Sequence, residues 1–234
     1  MPFRNCVTCA ARGTERFCSL SMKALHELQN IGILRHTEAH ETLVHEGFTA
    51  DRVYVVCKGR IKITATSHDG RILLLRIAGP GDVLGLASLL RGKRYMVSAD
   101  TLEPCDLKSV ARDEFLRFME TFEDVSHSTM MAMAREYDAA LLSARRLALS
   151  SSAGGKLARA LLDWAHMGHG EEGATAAPLS FNMPLTHEEL GSMAGLSRET
   201  VTRLLSKFHK EGLIKQTGEH MVLQHPAKLE ALYC

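Results

Sequence analysis

Apolar side chains recur at helical spacing in residues 19–34 (SLSMKALHELQNIGIL), at Met22, Leu25, Leu28, Ile31 and Leu34. From about residue 36 to 115 the texture becomes that of strands. Runs at 52–57 (RVYVVC), 60–64 (RIKIT) and 71–77 (RILLLRI) are separated by turn signals at Lys58-Gly59, Asp69-Gly70 and Gly79-Pro80-Gly81. Short strands at this regular interval predict an antiparallel roll or barrel.

Residues 111–149 return to the helical period. Met130, Met131, Met133, Ala134, Tyr137, Ala140, Leu141, Ala144, Leu147 and Ala148 make one long apolar face, heptad-compatible over much of its length. Such a helix either packs into a core or pairs with a copy of itself. Residues 150–155 (SSSAGG) read as a break, 156–166 as a further helix, and 168–178 (GHGEEGATAAP) as a surface loop.

The stretch at 185–214, LTHEELGSMAGLSRETVTRLLSKFHKEGLI, is the most specific. Thr186 and Glu189 form a capping box for a short helix that runs to about Ala194. Gly195 can turn the chain at positive φ, and Ser197 is an N-cap for a second helix ending at Gly212. Leu190, Ala194, Leu196, Val201, Leu204 and Leu205 supply the internal packing of a helix-turn-helix, with Gly191 and Ala194 small enough for a close crossing. Arg198, Glu199, Thr202 and Arg203 then point outward. Arginine can chelate O6 and N7 of guanine, and glutamate can accept from N4 of cytosine. Ser197, Ser206, Lys207, His209 and Lys210 suit the cap and phosphate contacts. Two strand-like runs, 213–216 and 221–224, follow as a wing.

Composition adds little to this and excludes more. Net charge is +1, so a basic DNA-facing surface must be local. No run approaches the roughly eighteen apolar residues of a membrane span, and the first residues lack the apolar core of a secretory signal. The expectation is a cytoplasmic protein, in which clustered cysteines read as metal-binding or redox-active. Such a cluster opens the chain: CVTCAARGTERFC, residues 6–18, has the spacing C-x2-C-x8-C. G-x-S-x-G, Walker A and HExxH motifs are absent, and the scattered histidines His36, His40, His45 and His68 do not make the tight set of a cupin-like metalloenzyme, so no enzyme is expected.

LSRETVTRLLSKFHKEGLI resembles the recognition helix of the cAMP receptor protein / fumarate-nitrate regulator (CRP/FNR) superfamily, and GDVLGLASLL, residues 81–90, resembles its G-D-x-x-G motif. The resemblance covers nearly the whole chain. It implies an α+β protein: an N-terminal double-stranded β-roll of cyclic-nucleotide-binding type, a long dimerisation helix and a C-terminal winged helix-turn-helix. The implied boundaries are a cysteine-rich arm at 1–18, the roll at 19–120, the helix at 121–150 and the DNA-binding domain at 151–234. The implied partners are a second copy of the chain, RNA polymerase and a palindromic double-stranded DNA site. The Arg-Glu-x-x-x-Arg pattern of Arg198, Glu199 and Arg203 is that of the CRP branch and implies half-sites nearer TGTGA than TTGAT.

The signal is a separate matter. Leu86 stands where the cyclic AMP-binding members have a glutamate, and Lys93, Arg94 and Tyr95 replace their Arg-Ser pair, so cyclic AMP is not the expected effector. Cys6, Cys9 and Cys18 instead resemble the arm of the FNR branch, which holds an oxygen-sensitive [4Fe-4S] cluster. That resemblance implies oxygen or nitric oxide sensing, with Cys105 as fourth ligand. Aligning on residues 101–103, however, puts Lys108 at the family's position and Cys105 three residues earlier, on the opposite face of a strand. Asp106 and Cys57 are other candidates, although Cys57 reads as core. Zinc held with His26 or His36, a thiol redox switch, and haem or another small ligand in the roll stay open as alternatives.

Overall fold

A computed structural model describes residues 5–9, 12, 16–149, 152–169 and 178–234. Contacts divide the chain into two compact units, Met1–Ala140 and Leu141–Cys234.

The first unit opens with a 3-10 turn (Cys6–Thr8) and helix α1 (Met22–Ile31), followed by eight strands. These are β1 (Ile33–Thr37), β2 (Thr42–Val44), β3 (Arg52–Lys58), β4 (Ile61–Thr66), β5 (Ile72–Ala78), β6 (Val83–Leu84), β7 (Ser98–Thr101) and β8 (Cys105–Ala111), with short helix α2 (Leu86–Leu90) after β6. They form two four-stranded antiparallel sheets, ordered β1-β8-β3-β6 and β2-β7-β4-β5. This is the expected double-stranded roll. Helix α3 (Arg112–Thr121) follows, and then the 27-residue helix α4 (Glu123–Leu149).

Strand periodicity divides the apolar residues of the roll into two cores. Tyr54, Val56, Ile61, Tyr95, Cys105 and Leu107 fill the interior between the sheets. Val53, Val55 and Val110 face the other way, against Leu25 and Leu28 of α1, Phe115 of α3, and Phe17, Cys6 and Cys18 from the arm. The arm is therefore built into the fold. Phe17 is completely buried, its ring centroid 6.1 Å from that of Phe115.

Three boundaries differ from the sequence reading. The first helix stops at Ile31, where the Gly32 amide donates to the Leu28 carbonyl, and Leu34 belongs to β1. A Cβ at position 32 would stand 2.6 Å from that same carbonyl oxygen, so the tight exit requires glycine. The helical stretch from 111 is interrupted at Phe122, whose extended backbone (φ −124°, ψ 112°) separates α3 from α4. Of the break expected at 150–155, residues 150 and 151 lie outside the described residues, and Gly154 and Gly155 lie inside helix α5 (Ala153–His169).

The second unit continues from α5 with β9 (Leu179–Asn182), α6 (His187–Ala194), α7 (Arg198–Lys210), β10 (Ile214–Thr217), β11 (His220–Leu223) and α8 (Pro226–Tyr233). A Cβ at Gly155 would lie 2.4 Å from the Tyr233 carbonyl oxygen, and one at Gly154 would lie 2.7 Å from its ring. The glycines are there so that α8 can approach α5. Trp164 of α5 is buried and donates its indole N–H to the Asn182 carbonyl at 3.0 Å. Most of the loop expected at 168–178 lies outside the described residues. Among the described residues no helix is long and apolar enough to cross a membrane.

Candidate functional site

Helices α6 and α7 form the expected helix-turn-helix. Both halves of the Thr186–Glu189 capping box are made, and Gly195 caps α6 in the left-handed region (φ 65°, ψ 42°). A Cβ on Gly191 would stand 2.7 Å from the Leu196 carbonyl, so the turn closes only over glycine. Ser197 caps α7 by accepting from the Thr200 amide at 3.3 Å. Val201, Leu205 and Phe208 are buried, which leaves Arg198, Glu199, Thr202 and Arg203 exposed on the first two turns. Glu199 lies below the usual carboxylate range because its own backbone amide, and then the Ser197 hydroxyl, bond to its anion.

Two contacts here were not legible beforehand. His187, first residue of α6, has Nδ1 2.8 Å from the Thr202 hydroxyl, which itself donates to the Arg198 carbonyl at 3.0 Å. The hydroxyl's one proton is committed to that carbonyl, so His187 donates and Thr202 accepts. Lys207, expected at phosphate, is turned instead toward the last helix. Its ammonium sits 5.2 Å from the centroid of the Tyr233 ring and 3.8 Å from a Glu211 carboxylate oxygen. Tyr233 first, and Glu211 after it, hold Lys207 above the ordinary lysine range.

The wing pairs β10 with β11 through a two-residue turn at Gly218-Glu219, and β9 joins as a third strand on the far side of β11. Along α4 the residues Met130, Ala134, Tyr137, Leu141, Ala144 and Ala148 are all exposed, and they alternate in steps of four and three. That is the spacing of a coiled-coil seam, here exposed.

The cysteines separate into two groups. Cys6 and Cys18 are buried beside Val53 and Val55, and Cys9 is half-buried at the end of the 3-10 turn. The Cys6 amide donates to the Gln29 side chain of α1 at 3.1 Å. Burial first, and the nearby Cys57, Cys6 and Cys9 sulfurs after it, raise the Cys18 thiol to about 12. Burial also raises Cys6, opposed by the ammonium of Lys108. Cys105 is not brought to this group. It lies in the roll interior with its Sγ 3.1 Å from the Glu103 carbonyl, while Asp106 bonds His36 Nδ1 at 2.8 Å on the other side of β8. His36 is thereby committed to Asp106 and not to a thiol. Among the described residues no three His, Cys, Asp or Glu side chains stand close enough to hold a metal as they are.

Tyr95 is buried in the roll interior, its hydroxyl donating to the Arg52 carbonyl at 2.7 Å, and a Cβ at Gly85 would lie 2.9 Å from its ring. Leu86 points into the opposite core, and Arg94 donates to the Gly47 carbonyl at 2.7 Å.

Comparison with known proteins finds the cyclic nucleotide-binding domain family over residues 34–122 and the Crp-like helix-turn-helix domain family over residues 155–232. The nitrogen fixation regulation protein FixK of Bradyrhizobium diazoefficiens is 29% identical, aligned over 97% of this chain and 93% of its own. The transcriptional activatory protein AadR of Rhodopseudomonas palustris is also 29% identical, over 98% and 93%. A CRP-like cAMP-activated global transcriptional regulator of Mycobacterium tuberculosis is 29% identical over 80% of this chain and 82% of its own. Among solved structures, FixK2 of Bradyrhizobium japonicum matches the fold with a TM-score of 0.74, covering 87% of this chain and 98% of that one at 23% identity.

Proposed function

The chain belongs to the CRP/FNR superfamily of transcription regulators, and on that premise we propose that it reads a palindromic DNA site as a homodimer controlled by an iron–sulfur centre on its arm. One observation carries the DNA-reading part. The first two turns of α7 expose Arg198, Glu199, Thr202 and Arg203 together, while Val201 and Leu205 hold the helix down on α6. Arg198 and Arg203 are the guanine-chelating groups and Glu199 the acceptor for cytosine. That set favours half-sites nearer TGTGA than TTGAT, and the His187–Thr202 bond fixes the hydroxyl between them. The exposed seam of α4 supplies the dimer contact. It sets two α7 helices about one DNA turn apart, where RNA polymerase can be engaged.

The thiols of Cys6, Cys9 and Cys18 suit an iron–sulfur group by their chemistry: three soft donors on the arm, the first of them beside a buried cation, Lys108, though among the described residues they are not assembled to hold a metal. When bound, such a cluster supplies chemistry that responds to oxygen or nitric oxide. This chain's residues connect its site to the dimer helix. Cys18 is followed by Ser21, whose amide donates to Asp124 in the first turn of α4 at 2.6 Å. Ordering or releasing the arm would therefore act on the first turn of α4, ahead of the seam that opens at Met130. Cyclic AMP is disfavoured because Tyr95 occupies the interior and Leu86 faces away from it. In keeping with this, FixK and AadR align over 97% and 98% of the chain and the cAMP-activated relative over 80%.

The test is anaerobic purification, with iron and sulfide analysis and fluorescence anisotropy on TGTGA and TTGAT palindromes before and after air. The expected result is iron and sulfide in equal amounts and tight binding to the TGTGA palindrome that weakens on exposure to air. Binding that is indifferent to half-site sequence would overturn the assignment of Arg198, Glu199 and Arg203. Tight binding without iron or sulfide would overturn the cluster.

A further inference from the structure

We propose that His187 is a positioning residue for base recognition: by engaging the Thr202 hydroxyl it leaves the γ-methyl group of Thr202 to read a thymine. This rests on the reading of α7 as the helix that enters the major groove. Arg198, Glu199 and Arg203 carry their base preferences in their chemistry. Thr202, exposed in the same patch, does not, because a free threonine hydroxyl donates or accepts and so suits any base pair.

Here the hydroxyl is not free. It has one proton and two lone pairs. The Nδ1–H of His187 is aimed at the oxygen from 2.8 Å, so the hydroxyl proton must point elsewhere, and the Arg198 carbonyl at 3.0 Å receives it. No proton is left for N7 or O6 of guanine or for O4 of thymine. What Thr202 still offers a base is its γ-methyl group and one lone pair. An A·T pair meets both, through the thymine 5-methyl group and the N6 amine of adenine. A G·C pair meets only the lone pair, through N4 of cytosine, and has nothing for the methyl group.

The donor is held in place from behind. His187 is the first residue of α6, directly after the Thr186 N-cap, and the capping box with Glu189 is closed by bonds of 2.9 and 3.2 Å. The crossing of α6 and α7 is set by the turn, where the Leu196 amide donates to the Gly191 carbonyl at 2.9 Å. Buried Val201 and Leu205 fix the rotation of α7 about its own axis. The hydroxyl therefore cannot leave the ring without unpacking the helix-turn-helix. His187 is half-buried, while Arg198, Thr202 and Arg203 are exposed, so the reading face stays open.

The experiment is fluorescence anisotropy of the full chain on whichever of the TGTGA and TTGAT palindromes binds more tightly. Each thymine is replaced in turn by deoxyuridine, which lacks only the 5-methyl group. Wild type is expected to lose about four-fold in affinity per half-site at one thymine, the worth of one buried methyl group. Thr202→Ser should erase that loss, and Thr202→Val should keep it. In His187→Ala the side chain of Thr202 can rotate and turn its hydroxyl to the base, so the loss should shrink at that thymine while the preferences set by Arg198 and Arg203 persist. His187→Asn, which returns an N–H near the same place, should restore it. Far-UV circular dichroism confirms folding, and His187→Leu, which keeps bulk without a donor, replaces the alanine variant if that one does not fold. Wild type that is indifferent to deoxyuridine at every thymine, with its sequence preference otherwise intact, overturns the proposal and leaves the DNA-reading assignment standing. So does a loss of wild-type size in His187→Ala, its disappearance in Thr202→Val, or a His187→Ala defect spread evenly over all positions. Wild type with no preference between palindromes and random DNA overturns both.

Discussion

Replacing Phe17 by alanine removes a ring that is completely buried between the arm and α3, 6.1 Å from Phe115. Its backbone bond to Gly81 does not depend on the side chain and remains available. The loss is therefore one of packing. Burial of a phenylalanine and the cavity left by its truncation together cost about 3–5 kcal/mol. For a unit of this size that corresponds to a drop of roughly 10–20 °C in midpoint. Phe17→Leu, which keeps most of the volume, should cost on the order of 1 kcal/mol. The assay is thermal and urea unfolding of the metal-free protein followed by far-UV circular dichroism. Trp164 is the chain's one tryptophan and lies in the second unit, so its fluorescence follows that unit separately. A Phe17→Ala variant that loses less than about 1 kcal/mol would refute the reasoning, because the arm would then rest on the roll without being part of its core.

Arg198→Ala and Arg203→Ala are each expected to cost about 1–3 kcal/mol per half-site and to relax preference at one base pair, in anisotropy titrations against single-base variants of the palindrome. Lys207→Ala should leave that preference unchanged while destabilising the second unit slightly, since its ammonium faces Tyr233 and Glu211. Gly191→Ala should abolish tight DNA binding, because its Cβ would stand 2.7 Å from a backbone oxygen; overpacking of this kind costs about 1–3 kcal/mol and is read in the Trp164 transition. The Cys18 thiol is raised from 9.0 to about 12, so its contribution to metal-free stability is complete below pH 9 and is lost as pH rises through 12. Alkaline unfolding midpoints should show that loss, and Cys18→Ser should flatten it. Cyclic AMP should leave the melting temperature of the roll unchanged, whereas a ligand at a hundred times its Kd would add about 2.7 kcal/mol.

The helix-turn-helix was legible because its signals are local: a capping box, a glycine turn, an N-cap serine and apolar residues at fixed offsets act within a few residues of one another. The strands at 52–57, 60–64 and 71–77 were legible for the same reason, each being punctuated by a glycine. What escaped depends on distant partners. Gly154 and Gly155 read as a break because their reason for being glycine is Tyr233, more than seventy positions away. Residues 179–182 have the alternating burial of an edge strand, yet four residues after a Gly- and Ala-rich stretch give too short a pattern to recognise. Lys207 looked like a phosphate contact on helix spacing alone, and only α8 explains its direction. Tyr95 gave no signal that it is buried inside the roll.

Tyr233 touches both ends of its unit's helical framework. Its ring lies 4.7 Å from Phe208 in α7, its hydroxyl donates to Glu211 at 2.7 Å, and its ring and carbonyl press on Gly154 and Gly155 at the start of α5. The first turn of α5 and the last turn of α7 are thus bolted together through one side chain. Mechanically this ties the two helices at one point, so a displacement of the first turn of α5 would be passed to the last turn of α7 through Tyr233. Loosening the bolt with Tyr233→Ala would leave both helices formed and the gearing between them lost.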